Sequence, residues 1–403
     1  MIRIPKTLAA VTVIALLAFS AGSAYAATHY YVVGNNNVYP TNSVSVYEVS
    51  GSSLVSLTTV STGGAGAGGG YFGQGRQSIN QDGSSTCVFA ADAESSDISA
   101  MKVITASPYL EVVSNFVSPD GDSGTDDGIG ITVAGGYLYA NYTGNGSSIA
   151  PSIGVWKITP GCSLSFVTHL TNTSGINGGV IDGMAVTPNG KYLVVAYGDG
   201  SVGSYAIGGG SISLIGQEII AGQGVGAGAS AGTVAISSNG HWAIFGDFSG
   251  SNNTQLDVAA IASNGALAPT TSYGGTGSLG NGVDSNGIQL SPNNKFIYVA
   301  DTYSGQETTV SFDATTGVIT YPNGCLTSLN GFNTNWIFAS QVAAVANSGS
   351  GAGLYVSEGF LSGDSYIALL QINSTTGCAT EVPNSPFVDS NGGSLESIVA
   401  YSH

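Results

Sequence analysis

Apolar and polar positions follow one another in short runs along this chain, and one apolar run of about five residues recurs seven times, at intervals of about 50 to 57 residues. A fixed period of this kind marks a protein built from repeated units. Runs so short and so rich in β-branched and aromatic residues predict strands. The seven runs are YYVVG from Tyr30, CVFAA from Cys87, LYANY from Leu138, LVVAY from Leu193, AIFGD from Ala243, IYVAD from Ile297 and LYVSE from Leu354.

Most of these runs form the second strand of a predicted hairpin. The segments GMAVTPNGKYLVVAY, GTVAISSNGHWAIFGD and GIQLSPNNKFIYVAD each place an Asn-containing turn between two apolar runs, which is typical of tight β-turns. Two weaker strands follow in each unit, as in TTVSFDATTGVITYP and YIALLQINSTTGCATEV, again joined by a Thr-Gly turn. Almost no segment has an apolar period of 3.6 residues, so we expect few helices. Each unit is predicted to be a four-stranded antiparallel meander.

Seven such units predict an all-β fold, a seven-bladed β-propeller. The segment HYYVVGN looks like a second strand that lacks its first, and SLESIVAYS looks like a first strand that lacks its second. Pairing of these two terminal strands would complete one blade and leave no exposed edge at the closure. A β-helix is the alternative, but its repeats are usually shorter and lack paired hairpins.

The first residues have the pattern of an export signal. Arg3 and Lys6 precede the apolar run LAAVTVIALLAFSAG, and Ala24 and Ala26 give a small-x-small cleavage pattern. We therefore expect a secretory signal peptide at residues 1–26 and a single propeller domain at 27–403, secreted or periplasmic. A retained signal anchor is the alternative. No other segment approaches 18 apolar residues, so we expect no membrane span in the mature chain.

Removal of that signal would leave 5 basic residues against 24 acidic ones. Charged residues make up only 8% of the chain, compared with about 25% in typical soluble domains. An acidic surface repels nucleic acid and anionic lipid headgroups, so neither is an expected partner. We expect a monomer whose partner is an extracellular protein, a glycan or a small molecule.

Four cysteines remain after export: Cys87, Cys162, Cys325 and Cys378. Four cysteines allow three pairings, and an oxidising compartment favours two disulfides over free buried thiols. We expect Cys87–Cys162 and Cys325–Cys378, each joining neighbouring blades. The chain has no CxxC and no histidine close in sequence to a cysteine, so we do not expect a zinc site.

The copies SPNNKFIYVAD and TPNGKYLVVAY, together with FDATTGVIT, resemble the YVTN-type and lactonase-type seven-bladed propellers of bacteria. The resemblance covers essentially all of 27–403. It implies the propeller fold, whereas it says less about function, because the repeated residues are those that build blades. Some lactonase-type relatives open or close lactone rings on anionic substrates, and such enzymes are expected to use Arg, His and Glu near the channel mouth.

A propeller has two faces. Loops that lead into the innermost strands and loops between second and third strands share the top face, whereas Lys191 and Lys295 lie in turns of the bottom face. We expect an acidic top face with Arg76 as its only base. The acids assigned to it are Asp120, Asp122, Asp126, Asp127, Asp182, Asp284, Asp389 and Glu396 beside the inner strands, and Asp92, Glu94, Asp97, Asp199, Asp247, Asp301, Glu307, Glu358 and Asp364 in the other top loops.

The densest acidic run is SPDGDSGTDDGIGITV, with Asp120, Asp122, Asp126 and Asp127. It is not an EF-hand, because Thr125 and Ile131 stand where the loop needs Gly and Glu. Several carboxylates on a glycine-rich loop suit a weak site for Ca²⁺ with oxygen ligands only. A plain solvated turn is the alternative.

These features support two hypotheses on function. The first is an exported noncatalytic propeller that binds a protein, glycan or cation through the acidic top face. The alternative is a lactonase-like hydrolase or isomerase that acts at the mouth of the central channel. The candidate ligand-binding residues are Arg76, Asp127, Asp182 and Asp284. Arg76 would hold a substrate carboxylate or carbonyl, or else pair with the acids around it.

No catalytic residue of the lactonase-type relatives can be assigned. His241 lies in a predicted bottom turn, His169 in an outer strand, and His29 and His403 near the ends. The chain contains no HExxH and no Walker motif.

Overall fold

The computed structural model describes residues 29–68, 77–81, 85–118, 129–144, 148–220, 229–249, 255–274, 285–301, 305–321, 325–330, 338–347, 351–359, 365–390, 395 and 397–402. Every regular element in those ranges is a strand, and none of them contains an α-helix. The strands form seven antiparallel sheets. The chain is therefore a seven-bladed β-propeller with four-stranded blades, as the sequence predicts, and two blades carry a short extra strand.

The strands follow the blades in chain order, except that the last strand belongs to the first blade. Blade 1 holds β1 (Tyr30–Asn35), β2 (Ser43–Ser50) and β3 (Ser53–Ser61); blade 2 holds β4 (Gln77–Gln81), β5 (Thr86–Asp92), β6 (Asp97–Val103) and β7 (Leu110–Val117); blade 3 holds β8 (Ile129–Ala134), β9 (Tyr137–Tyr142), β10 (Ser152–Ile158) and β11 (Leu164–Thr171); blade 4 holds β12 (Ile181–Val186), β13 (Tyr192–Tyr197), β14 (Ser201–Gly208) and β15 (Ser211–Ile219).

The remaining blades repeat this order. Blade 5 holds β16 (Ala229–Ile236), β17 (Trp242–Ser249), β18 (Gln255–Ala260) and β19 (Thr271–Gly274); blade 6 holds β20 (Ser285–Leu290), β21 (Phe296–Asp301), β22 (Gln306–Asp313), β23 (Val318–Thr320) and β24 (Leu326–Ser328); blade 7 holds β25 (Phe338–Asn347), β26 (Gly351–Gly359), β27 (Ser365–Ile372), β28 (Ala379–Glu381) and β29 (Phe387–Asp389); β30 (Ser397–Ser402) completes blade 1.

The ring closes through its terminal strands. β30 pairs antiparallel with β1 from Tyr30↔Ser402 to Asn35↔Ser397, and so becomes the innermost strand of blade 1. The predicted closure is confirmed. The seven inner strands, β30, β4, β8, β12, β16, β20 and β25, each pack beside the inner strands of both neighbouring blades. We call the end of the blades where the inner strands begin the top, and the opposite end the bottom.

The bottom turns show how local sequence sets the blade geometry. In blade 4 the Asn189 side-chain oxygen accepts hydrogen bonds from the Thr187 hydroxyl at 2.8 Å and from the Lys191 amide at 3.0 Å. Gly190 has a φ of 68°, a value that glycine adopts without steric cost. Blades 5 and 6 repeat the same bonds with Asn239 and Asn293. The predicted Asn-containing turns are thus present.

The apolar core is divided among the blade interfaces. Seven buried clusters fill the seven interfaces, one for each pair of neighbouring blades. Between blades 2 and 3, for example, Phe89 and Ile98 pack with Leu138 and Trp156. Because each blade depends on both neighbours for burial, the ring gains its stability as a whole.

Both disulfides that we expected between neighbouring blades are formed. Cys87–Cys162 joins blades 2 and 3 across 75 residues of sequence, and Cys325–Cys378 joins blades 6 and 7 across 53. Two such bonds are typical of a protein in an oxidising compartment. Within the described ranges, no helix has the length and apolar content needed to cross a bilayer.

Candidate functional site at the top of the inner ring

The inner strands surround the central axis, and their first residues lie at the top. Across the seven inner strands that the structure describes, Asp182 is the only charged residue. It is the second residue of β12 and is half-buried. The one charged residue of these strands, at the mouth of the ring, is a chemically distinct position, and we take it as the centre of the candidate site.

A backbone irregularity sets the position of Asp182. Ile181 pairs with Tyr197 and Gly183 with Ala196, so Asp182 is an extra residue in β12, a β-bulge. Bulges turn a side chain away from the regular alternation of a strand and are frequent beside active sites. The inner strands of blades 5, 6 and 7 have the same irregularity near their starts. Blades 4 to 7 therefore share a modified inner rim, whereas the described residues of the inner strands in blades 1 to 3 pair without such a shift.

Two residues of neighbouring strands support this bulge. The Asn141 side chain in blade 3 is buried, donates to the Ile181 carbonyl at 3.0 Å and accepts from the Gly130 amide at 2.7 Å. It thereby ties the inner strands of blades 3 and 4 together directly before Asp182. Gly198 leaves room for the carboxylate, since a β-carbon there would lie 2.8 Å from the Asp182 Oδ2.

Asp199 orders the loop that leads into Asp182. Its carboxylate accepts hydrogen bonds from the Asn177 amide at 2.7 Å, the Gly179 amide at 3.1 Å, and the Ser201 amide and hydroxyl at 2.9 and 2.5 Å. Partial burial works to raise the pKa of Asp199, but these hydrogen bonds outweigh it and the pKa is lowered. Asp199 thus stays ionised and holds loop 172–180 in place.

The structure locates one of the four predicted ligand-binding residues. Asp182 lies at the top of the inner ring, as predicted. Arg76, Asp127 and Asp284 lie outside the described residues, and so do Asp120, Asp122 and Asp126 of the predicted calcium loop. In the part of the chain that the structure describes, no group of three or more His, Cys, Asp or Glu side chains could hold a metal ion. The Ca²⁺ site in the acidic loop stays a prediction.

The predicted acidic top face contains fewer exposed carboxylates than the sequence indicates. Asp92, Asp97, Glu307 and Asp389, which we assigned to top loops, are buried. These side chains lie at strand ends or within strands, because the hairpin strands extend further toward the top than their apolar runs. This part of the sequence interpretation is wrong for these four residues.

Asp92 shows what replaces solvent around such a carboxylate. It accepts hydrogen bonds from the Asn42 amide nitrogen at 2.7 Å and from the Thr62 and Ser99 hydroxyls at 2.7 and 2.6 Å. Burial, and then the neighbouring Asp97, raise the pKa of Asp92 to about 7. Asp97 is its direct partner across the β5–β6 hairpin. The two carboxyls belong to a buried polar network between blades 1 and 2.

Glu307 is buried with far fewer partners. Its Oε1 accepts from the Thr309 hydroxyl at 2.9 Å, whereas its Oε2 has no hydrogen-bond partner among the residues that the structure describes. Burial raises the pKa of Glu307 to about 8. Neither its burial nor the role of Asn141 was predicted from the sequence. A comparison of equivalent positions in the seven repeats could have marked both, since each differs from the residue that most blades carry there.

The fold and the ring together define a closed seven-bladed β-propeller with a candidate ligand site at its top face. No protein-family model matches this chain, and no curated protein matches its sequence. Solved structures share its fold. A proposed 6-phosphogluconolactonase from Bacteroides uniformis ATCC 8492 is 12% identical, with a TM-score of 0.67 over 93% of this chain and 99% of that one.

Two further structures are similar over nearly the whole chain. A proposed 6-phosphogluconolactonase from Bacteroides fragilis NCTC 9343 is 15% identical, with a TM-score of 0.66 over 94% of this chain and 99% of that one. A periplasmic gluconolactonase from Pseudomonas aeruginosa is 15% identical, with a TM-score of 0.62 over 91% of this chain and 99% of that one. At such identities the likeness shows the fold, which agrees with the resemblance seen in the sequence.

Proposed function

We propose that this protein is a lactone hydrolase whose reaction takes place at the top of the inner ring, with Asp182 as general base. The observation that carries the proposal is the position of Asp182, the one charged side chain of the described inner strands, at a β-bulge of the channel mouth. The names of three structural neighbours, each a lactonase, support this reading over that of a noncatalytic binder.

Hydrolysis of a lactone needs few catalytic side chains. The Asp182 carboxylate would take a proton from a water molecule as the water oxygen attacks the lactone carbonyl carbon. The ring C–O bond then breaks, the proton passes to the ring oxygen as it leaves, and the product is an open-chain hydroxy acid. Arg76 is our candidate for stabilising the negative carbonyl oxygen, through its guanidinium hydrogen bonds.

The local structure suits such a base. The Asn141 side chain holds the preceding carbonyl, and Asp199 holds the loop before it, so the carboxylate is positioned before substrate binds. The loop around Asp199 is also fixed by backbone bonds, such as that from the Gly175 amide to the Gly179 carbonyl at 2.8 Å.

The first prediction concerns Asp182 itself. The Asp182→Asn variant should lower kcat/KM for glucono-δ-lactone by about 10²- to 10⁴-fold, the usual contribution of a general base. The measurement is acid release in a pH-stat, corrected for spontaneous ring opening. Asp313→Asn is the matched control, because it removes the same charge from an exposed residue at the bottom of blade 6 and should leave the rate unchanged.

Two outcomes would count against the proposal. Full activity in the Asp182→Asn variant would remove Asp182 from the reaction. If the unaltered protein opened no lactone of a panel covering γ- and δ-rings, the lactonase proposal itself would fail, and binding through the top face would become the better hypothesis.

A further inference from the structure

The lysines that the structure describes lie far from the candidate site. After residue 26 the sequence has only five basic residues: Arg76, Lys102, Lys157, Lys191 and Lys295. Lys102 is the second-last residue of β6, and Lys157 is the second-last residue of β10. Both strands run from top to bottom. Lys191 and Lys295 lie in the bottom turns of blades 4 and 6. All four lysines are therefore at the bottom end.

The height of a blade separates these lysines from Asp182. An inner strand of six residues spans roughly 20 Å at about 3.3 Å per residue. Charges at that distance are screened at physiological salt, where the Debye length is about 8 Å. Arg76, the remaining basic residue, lies outside the described residues, whereas Asp182 and Asp199 lie at the top end of blade 4.

Proteins that bind a phosphate group normally surround it with more positive charge than one arginine supplies. A phosphate monoester carries nearly two negative charges at neutral pH, and proteins hold it with several cationic or backbone donors. At the top of this ring, an anionic substrate would meet the Asp182 carboxylate, on a chain whose formal net charge as a whole is −17. Repulsion of this kind reduces both encounter and binding.

From this charge distribution we propose that the substrate is an uncharged lactone and that phosphorylated and carboxylated lactones are rejected. This inference rests on the proposed function and adds the substrate class. It also gives the acidic composition a role in turnover. The neutral ring enters without repulsion, and ring opening forms a carboxylic acid that loses its proton to solvent. The product is then an anion that the same charges drive out.

The test compares glucono-δ-lactone with its 6-phosphate at two ionic strengths. At about 0.01 M salt, where the Debye length is about 30 Å, kcat/KM for the neutral lactone should exceed that for the phosphate by at least about tenfold. At about 0.1 M salt the Debye length falls to about 10 Å, so the phosphate should react faster while the neutral lactone is unaffected. Asp182→Asn and Arg76→Gln are measured beside the unaltered protein.

The outcomes separate this inference from the proposed function. Equal or better turnover of the phosphate, with a rate that falls as salt rises, would overturn the inference and leave the lactonase proposal standing. A selective loss of the phosphate reaction in Arg76→Gln would overturn it as well, because Arg76 would then be a phosphate anchor. If neither lactone reacts faster than its enzyme-free blank, the proposed function falls and the inference with it.

Discussion

Glu307 is an acidic residue at a position of the repeat where most blades carry an apolar residue. It pairs with Ala300, and the equivalent third-strand position is filled by an apolar residue in five other blades. All of these side chains are fully buried: Ile98, Ile153, Val202, Leu256 and Ile367. Glu307 is equally buried. Its carboxyl is therefore kept neutral near pH 7, since burial disfavours the charged form.

A pH dependence of stability follows from this burial. The folded-state pKa of Glu307 is about 8, above the ordinary value of about 4.3. Its contribution to stability is thus fully present below about pH 4 and is lost as the pH rises toward 8. The Glu307→Gln variant should not show this loss. Its free energy of unfolding, measured with denaturant, should therefore increase relative to that of the unaltered protein between about pH 5 and 8.

Glu307→Leu is the companion variant. It restores the apolar side chain that most blades carry, and it should stabilise the ring by about 1–3 kcal/mol, the cost of a buried group without a full set of partners. A pH profile that stays parallel for all three proteins would show that Glu307 does not titrate in this range.

At the scale of strands, Asn141 connects two elements that share no main-chain ladder. β8 and β12 belong to different sheets, and the Asn141 side chain bonds to the backbone of both. At the equivalent second-strand position the other blades carry small side chains: Gly34, Ala91, Ala196, Gly246, Ala300 and Ser357. The asparagine occurs only next to the bulge that holds Asp182.

Asn141→Ala should therefore have two effects. It leaves the Ile181 carbonyl and the Gly130 amide without these bonds, so the free energy of unfolding should fall by about 1–3 kcal/mol. If lactone hydrolysis is confirmed, kcat should fall while KM changes little, because the base is displaced but the pocket remains. Asn80→Ala is the control, since its buried Nδ2 in the inner strand β4 has no hydrogen-bond partner within the described ranges. Equal effects of the two substitutions would remove the special role of Asn141.

For the whole molecule, one terminal pairing closes the ring, and two disulfides link neighbouring blades. β30 brings the end of the chain to blade 1, whereas the disulfides tie blade 2 to 3 and blade 6 to 7. Each disulfide restrains the unfolded chain over a long loop, which is the main source of its stabilisation in the chain-entropy description.

Removal of Cys87–Cys162 by a double substitution to serine should lower the free energy of unfolding by about 2–5 kcal/mol. The same change at Cys325–Cys378 gives the comparison, with a slightly smaller loss expected because its loop is shorter. Both are measured by denaturant unfolding without reductant. An unaffected Cys87 and Cys162 variant would mean that interface packing alone keeps blades 2 and 3 together.

Local patterns in the sequence were enough to predict the architecture. Strand runs, Asn-containing turns and the period of about 50 to 57 residues predict blades, because each blade is built from residues close in sequence. Blade count, closure of the ring and the disulfide partners follow from that repeat. The position of Asp182 at the start of an inner strand follows for the same reason.

The environment of each carboxylate depended on contacts between distant residues, which only the tertiary structure shows. Asn42 reaches Asp92 across 50 positions, Asn141 reaches Ile181 across 40, and Ser45 donates to Asp389 across 344. The pattern of polar residues in the sequence cannot distinguish a carboxylate in solvent from one buried between two blades. The sequence alone thus determined that Asp182 lies at the start of an inner strand. The packing of neighbouring blades decided that the pKa of Asp199 is lowered, whereas the pKa values of the buried Asp92 and Glu307 are raised.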